Sequence, residues 1–137
     1  MVSVSVREFD RAWRKHVAAY EKLKADDGKE VTSLSRYTLL FYAAECAIKA
    51  KLLRNYRVQS YDKLPPEAQI GHKINRGLDL LRLAVPHVPK AKARDQSETT
   101  VEHHQLHEAW RYGKILAEGE PEAIEALEKL IEKLECG

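Results

Sequence analysis

Cysteine is nearly absent from this chain: two residues in 137, Cys46 inside an apolar run and Cys136 beside the C-terminus. Two such distant thiols make no disulfide framework, so a core rather than covalent staples must hold the fold, and a reducing, cytoplasmic setting is expected. No run approaches 18 uninterrupted apolar residues, which removes a membrane-spanning helix and a membrane partner from expectation. The opening MVSVSVREFDRAW lacks the apolar centre of a signal peptide. Repeats and low-complexity segments are missing, and the alternation that marks half-buried strands is weak throughout. The length suits a single domain over residues 1–137, large enough to bury a core of its own.

What the chain does have is one segment that is apolar nearly all the way round. Residues 34–55, LSRYTLLFYAAECAIKAKLLRN, contain neither glycine nor proline. At 100° per residue, Leu34, Tyr37, Leu40, Phe41, Ala44, Ile48 and Leu52 share one face, and Leu39, Tyr42, Ala43, Cys46, Ala50 and Leu53 share another. A helix apolar on two faces is a central helix with neighbours on both sides. The first face is expected to meet helices one, three and four. The second is expected to meet helix five or a second subunit.

The remaining helices follow from periodicity and punctuation. Helix one spans residues 5–25, opened by a capping box of Ser5 and Glu8 and stopped at Asp26-Asp27-Gly28. Thr32 or Ser33 caps the central helix. Residues 56–69, with Pro65-Pro66, read as a loop holding at most a short helical turn. Helix three covers residues 72–85, with Ile74, Gly77, Leu78, Leu81 and Val85 inward. Residues 85–96 read as a mobile exposed loop. Helix four covers residues 97–116, and helix five starts at Pro121 with Ile124, Leu127, Ile131 and Leu134 inward. The fold class is therefore all-α: an up-and-down antiparallel bundle of four core helices plus a C-terminal one.

Charge is unevenly distributed. Residues 1–94 carry 19 Lys and Arg against 10 Asp and Glu, whereas residues 95–137 carry 4 against 11. A basic body with an acidic tail suits attraction of a polyanion, head-to-tail pairing, or simply two solvated faces.

Three stretches in this order, AAECAIKAKLLRN, GHKINRGLDLL and LHEAWRYGK, resemble the marker segments of the HEPN superfamily (higher eukaryotes and prokaryotes nucleotide-binding domain). The resemblance covers residues 34–116. It implies an up-and-down helical bundle that forms a homodimer, and roles around RNA, nucleotides and defence: ribonuclease toxins, or non-catalytic partners of small nucleotidyltransferases. Ribonuclease members place Arg, four to six residues, then His on the fourth helix, working without metal. This chain departs there. Leu116, Ala117 and Glu118 stand where the histidine counted from Arg111 would be, and no histidine follows His107. The literal spacing Arg11 to His16 lies on helix one, where five residues turn the side chain by about 500° and the two point apart; His16 is read there as a core histidine.

Helix four nevertheless carries a candidate ligand-binding row. His103, His104, His107, Arg111 and Lys114 fall within about 100° of arc on a regular helix, and His103, His107 and Arg111 stack at i, i+4, i+8. Val101, Ala109, Tyr112 and Leu116 would face inward. Three readings stand side by side: a solvated polar face; an anion site with a bidentate Arg111; and a metal pair His103-x3-His107 completed by His104, Glu108 or a distant group. An inverted catalytic pair of His107 and Arg111 is the corresponding nuclease reading. Glu45 and Lys49 are spaced for an intrahelical ion pair, and through the resemblance Glu45 is a second cleft candidate. His72, next to Gly71 at a helix entrance, reads as a capping or loop-anchoring residue. Cys46 should be inert and Cys136 exposed. Trp110 packs under helix five or in a subunit interface.

The expectation is a non-catalytic HEPN-like binding or accessory module in RNA- or nucleotide-related biology, such as a toxin–antitoxin or anti-phage system or a nucleotidyltransferase partner. It needs no cofactor or metal. The alternatives are a metal-independent ribonuclease with a rearranged site on helix four, and a structural module whose acidic fifth helix docks a partner.

Overall fold

The computed structural model describes residues 3–25, 30–94 and 99–136, with the backbone alone for residues 30–34 and 136. The Asp26-Asp27-Gly28 turn, Ser97, and the side chains of Leu34 and Cys136 lie outside the described residues. Five helices carry the fold: α1 (Val6–Ala25), α2 (Glu30–Asn55), α3 (Ile74–Leu81), α4 (Leu106–Arg111) and α5 (Glu120–Cys136). Three short strands, β1 (Ala91–Ala93), β2 (Thr100–Val101) and β3 (Leu116–Glu118), form an antiparallel sheet in the order β2-β1-β3.

The central helix is where the sequence places it. α2 touches α1, α3, α4 and α5. Its first face, Leu40, Phe41, Ala44, Ile48 and Leu52, lies in the main core with Ile74 and Leu78 of α3, Trp110 of α4 and Leu127 of α5. Each such large apolar side chain is worth about 1.5–3 kcal/mol on burial. The C-terminal half of the second face is covered within the chain, by α1 and the segment after α2. Ala50 and Leu53 join Phe9 of α1 with Tyr61, Leu64 and Ala68 in a second core. The segment expected to be a loop with at most a short helical turn therefore supplies a wall of core, built on two 3-10 turns, Tyr61–Lys63 and Pro66–Ala68.

Local signals hold where the chain is helical. The Ser5–Glu8 box is formed, with the Glu8 amide on Ser5 Oγ at 3.2 Å and the Ser5 amide on Glu8 Oε1 at 3.1 Å. The acidic α5 packs on α1 of the same chain: Glu128 accepts from Tyr20 Oη at 2.7 Å and Lys24 Nζ at 2.9 Å. Burial opposes the Glu128 charge, but these two hydrogen bonds outweigh it and hold the carboxyl below its ordinary value.

Four expectations are corrected. α2 begins at Glu30, so Thr32 and Ser33 sit inside the helix rather than capping it. α3 stops at Leu81, because Arg82 adopts a left-handed backbone with φ 53°. Residues 85–96 are no exposed loop throughout: Val88, Ala91 and Ala93 are buried and β1 is the middle strand. The twenty-residue fourth helix is only six residues long, flanked by β2 and β3. Glu102 opens its 3-10 lead-in with a capping box to Gln105, and Gly113 at φ 74° turns the chain out of it. An all-α class thus gives way to a mainly helical fold with a small sheet.

Candidate functional site

Dismantling helix four scatters the cationic row. His103 turns inward, and its Nε2 accepts the Asn75 backbone N–H at 3.3 Å. It thereby serves the first turn of α3, whose own N-cap Lys73 makes no side-chain cap bond. Burial first, then the His104 charge, pushes His103 down to about 4. His104 lies edge-on to His103 at 5.3 Å between ring centroids. Arg111 and Lys114 are exposed, Arg111 with its guanidinium 5.8 Å from the Tyr112 ring centroid. Tyr112, expected inward, is 75% exposed because the helix has ended before it. Trp110 takes the inward place at 1% exposure, with Nε1 donating to Glu120 at 3.1 Å in the first turn of α5.

His107 and Arg111 share α4 at i, i+4, yet His107 is buried and Arg111 exposed. His107 is 3% exposed, its ring stacks on Phe41 at 4.9 Å, and it meets the His72 ring at 4.1 Å between centroids. Its Nδ1 is buried without a hydrogen-bond partner, while Nε2 lies 3.8 Å from Glu108 Oε1. Burial first, and then the neighbouring His72, lowers its pKa.

The residue that His107 meets is His72, expected from the sequence as a capping or loop-anchoring residue. Four elements position it. Glu45 and Lys49 form the expected i, i+4 pair on α2 at 3.0 Å. The Lys49 ammonium lies 4.9 Å from the Tyr61 ring centroid and 5.9 Å from that of Phe9. Tyr61 in turn accepts the Gly71 backbone N–H on its hydroxyl at 2.9 Å. Gly71 has φ 60°, a left-handed conformation that costs glycine little. The chain so held sets His72 Nδ1 2.8 Å from Glu45 Oε1.

The arrangement has a back and a front. Glu45 and His107 are the buried polar side chains of the described residues, at 5% and 3% exposure, and both touch His72. The His72 side chain is itself 51% exposed. Buried polar groups without a structural need mark sites more often than surface ones do. His16, from α1, stands behind: half-buried, 6.1 Å from Tyr42, which lies 5.9 Å from His107. Burial lowers the His16 pKa and the Glu45 charge opposes that. Arg11 points outward, so the Arg11–His16 spacing builds nothing.

Tyr42 also lines a shallow cleft of about 330 Å³ with Thr38, Leu39, Trp110 and Arg111. Arg111, one of the expected site residues, lines this cleft. Larger grooves lie elsewhere: about 620 Å³ by Trp13, Arg14 and Lys51, and about 660 Å³ by Lys90 and Gly119. Neither groove is lined by histidine, and volume alone is a weaker indicator than converging buried polar groups. Among the described residues no set of three or more His, Cys, Asp or Glu is arranged to hold a metal ion, so the His103–His107 metal pair is not assembled. Cys46 is half-buried beside Glu45, and burial with that charge pushes its thiol up to about 11, leaving it protonated at neutral pH.

The signal for this site was present in the sequence as GHK and AAEC. The separation of 27 residues between Glu45 and His72 hides it, since only the packing of α3 on α2 brings the two together. Comparisons of the chain with family models, curated proteins and solved structures returned no match.

Proposed function

We propose that this protein is a HEPN-like helical module that binds RNA or a nucleotide without cleaving it, with His72 as its point of contact. The observation that carries the reading is the convergence of the two buried polar side chains, Glu45 and His107, on one half-exposed imidazole. The three stretches behind the HEPN resemblance contribute one residue each to it: Glu45, His72 and His107. The basic excess of residues 1–94 supplies long-range attraction for a polyanion. Arg111 at the Tyr42 cleft adds a planar cation suited to phosphate. A cytoplasmic homodimer, acting as the partner of a nucleotidyltransferase in a toxin–antitoxin or anti-phage system, completes the reading. No helix among the described residues is long and apolar enough to cross a membrane.

Fluorescence anisotropy with a labelled single-stranded RNA and with a labelled nucleotide tests it. Binding should weaken steeply between 50 and 300 mM salt, with a log–log slope of about −0.7 per phosphate contacted. His72→Ala should weaken it further. Absence of binding at low salt, or binding indifferent to both salt and His72, rejects the reading.

A metal-independent ribonuclease is the second reading, and one observation favours it. With Nδ1 committed to Glu45, His72 presents Nε2 as a proton acceptor, the posture of a general base. That base would come from the loop before α3 rather than from the fourth helix. RNA cleavage by the wild type that is lost in His72→Ala separates the two readings.

A further inference from the structure

We propose that an oxyanion binding at His72 Nε2 brings one proton with it, so that the site takes sulfate or a phosphodiester only as an imidazolium. The proposal rests on the reading of His72 as the contact for a phosphate-bearing ligand, and it adds how that contact is regulated.

The argument is one of donor and acceptor count. Glu45 Oε1 receives Lys49 Nζ at 3.0 Å and His72 Nδ1 at 2.8 Å. An ammonium can only donate, so this oxygen is the acceptor of an ion pair, and the His72 nitrogen facing it carries its hydrogen. A neutral imidazole has one N–H. With that hydrogen turned inward, the Nε2 of neutral His72 is a bare lone pair. A fully ionised oxyanion offers acceptors alone and cannot hydrogen-bond to it. Protonation at Nε2 converts the repelling atom into a charge-assisted donor, while the Glu45 bond at Nδ1 stays as it was. A hydroxyl ligand has the opposite preference, because it donates to the neutral form. The sign of the pH dependence therefore reports the chemistry of the ligand.

The surroundings limit the count to one proton. His107 is buried against His72 and Phe41, with its Nδ1 unpartnered, and burial and the neighbouring His72 both disfavour charging it. Its outer nitrogen faces Glu108, and Arg111 of the same helix adds a positive charge. From α2 the groups facing the site are Glu45 and Lys49, and from α1 His16 stands behind Tyr42 within the field of the Glu45 charge. At the α3 entrance stand Lys73 and the inward His103. None of these gives Nε2 of His72 a hydrogen of its own.

The experiment is calorimetric titration between pH 5.5 and 8 with two probes, sodium sulfate and a uridine decanucleotide bearing a 5′-hydroxyl. Neither probe titrates in that range. Each is run in two buffers of different ionisation enthalpy, so that proton uptake is read directly. For the wild type the affinity should rise by up to about tenfold for each pH unit lowered, with uptake approaching one proton. His72→Gln, whose amide donates at every pH, should bind with a nearly flat pH profile and no uptake. Its circular dichroism spectrum checks the fold. Sulfate binding with proton uptake but no RNA binding removes the RNA reading and keeps the coupling. RNA binding with no uptake, or uptake that persists in His72→Gln, overturns the coupling and keeps the RNA reading. Binding of neither probe overturns both.

Discussion

α2 and the segment from Val88 to Gly119 are of similar length and obey different rules. α2 is continuous for 26 residues, and most of the buried positions described on it, Leu40, Phe41, Ala43, Ala44, Ile48, Ala50, Leu52 and Leu53, belong to the two apolar faces of the wheel, with Ala47 and Glu45 buried besides. The later segment changes conformation every few residues: strand, 3-10 turn, six-residue helix, strand. Its buried positions, Val88, Ala91, Ala93, Val101, Leu106, Ala109, Trp110 and Leu116, follow no single period. The difference lies in where the partners are. The hydrogen bonds of α2 close within four residues. Those of β1 close on β2 and on β3, with Ala91 opposite Val101 and Ala93 opposite Leu116. A local pattern reports the first kind of bond and is blind to the second.

The two regions meet at the site. α2 contributes Glu45 and Lys49 at a spacing any helix would give. The later segment contributes His107, which lies one helical turn from Trp110 on the buried face of α4.

The sharpest way to break the comparison is to truncate α2 at its centre. Phe41→Ala removes both a fully buried ring and the surface on which His107 stacks. It should cost about 3–5 kcal/mol by denaturant unfolding, and it should release His107 to exchange with solvent. A loss below 1 kcal/mol would mean that α2 does not organise the core.

The next largest effect should fall on the sheet. Gly119 has φ 89°, and a Cβ there would sit 2.7 Å from the Lys90 carbonyl oxygen. Gly119→Ala should therefore cost about 2–4 kcal/mol and raise amide exchange across β1 and β3 before α2. By contrast Gly71, at φ 60° with open space about it, should lose only about 1 kcal/mol on change to Ala, with the damage confined to the His72 loop.

Acid should act on the later segment. His103 is held down to about 4 by burial and by His104, against about 6.5 for a free histidine. Between those values the unfolded chain binds the extra proton. Stability is therefore complete above about pH 6.5 and falls as pH drops toward 4. The lowered pKa of His107 acts in the same direction. His103→Asn should flatten the dependence of Tm on pH between 4 and 6.5; an unchanged slope would show that His103 is charged in the native protein.

The smallest effect should come from the α1–α5 contact. Lys24 and Glu128 pair at 2.9 Å but are about half and one-third exposed. Lys24→Ala should cost less than about 1 kcal/mol and become silent in high salt.

These contrasts locate what the sequence carries. By itself it determined a mainly helical fold with α2 at its centre, the Ser5–Glu8 cap, the Glu45–Lys49 pair and the inward stripe of α5, because each shows in a pattern of neighbours within a few turns. It also contained the residues of the site. It did not contain their grouping. His103 joins His107 and Arg111 in one row only on a helix that extends back to it, and the chain instead makes a 3-10 turn over His103–Gln105, pairs Ala91–Ala93 on both edges and stops α4 at Arg111. Only the tertiary structure decided that His107 turns inward, that His103 caps α3 from 28 residues away, and that Glu45 and His72 share a hydrogen bond. The physical reason is the same in each case: the bond that fixes the residue closes across a loop, and its stability depends on packing that no short window of sequence records.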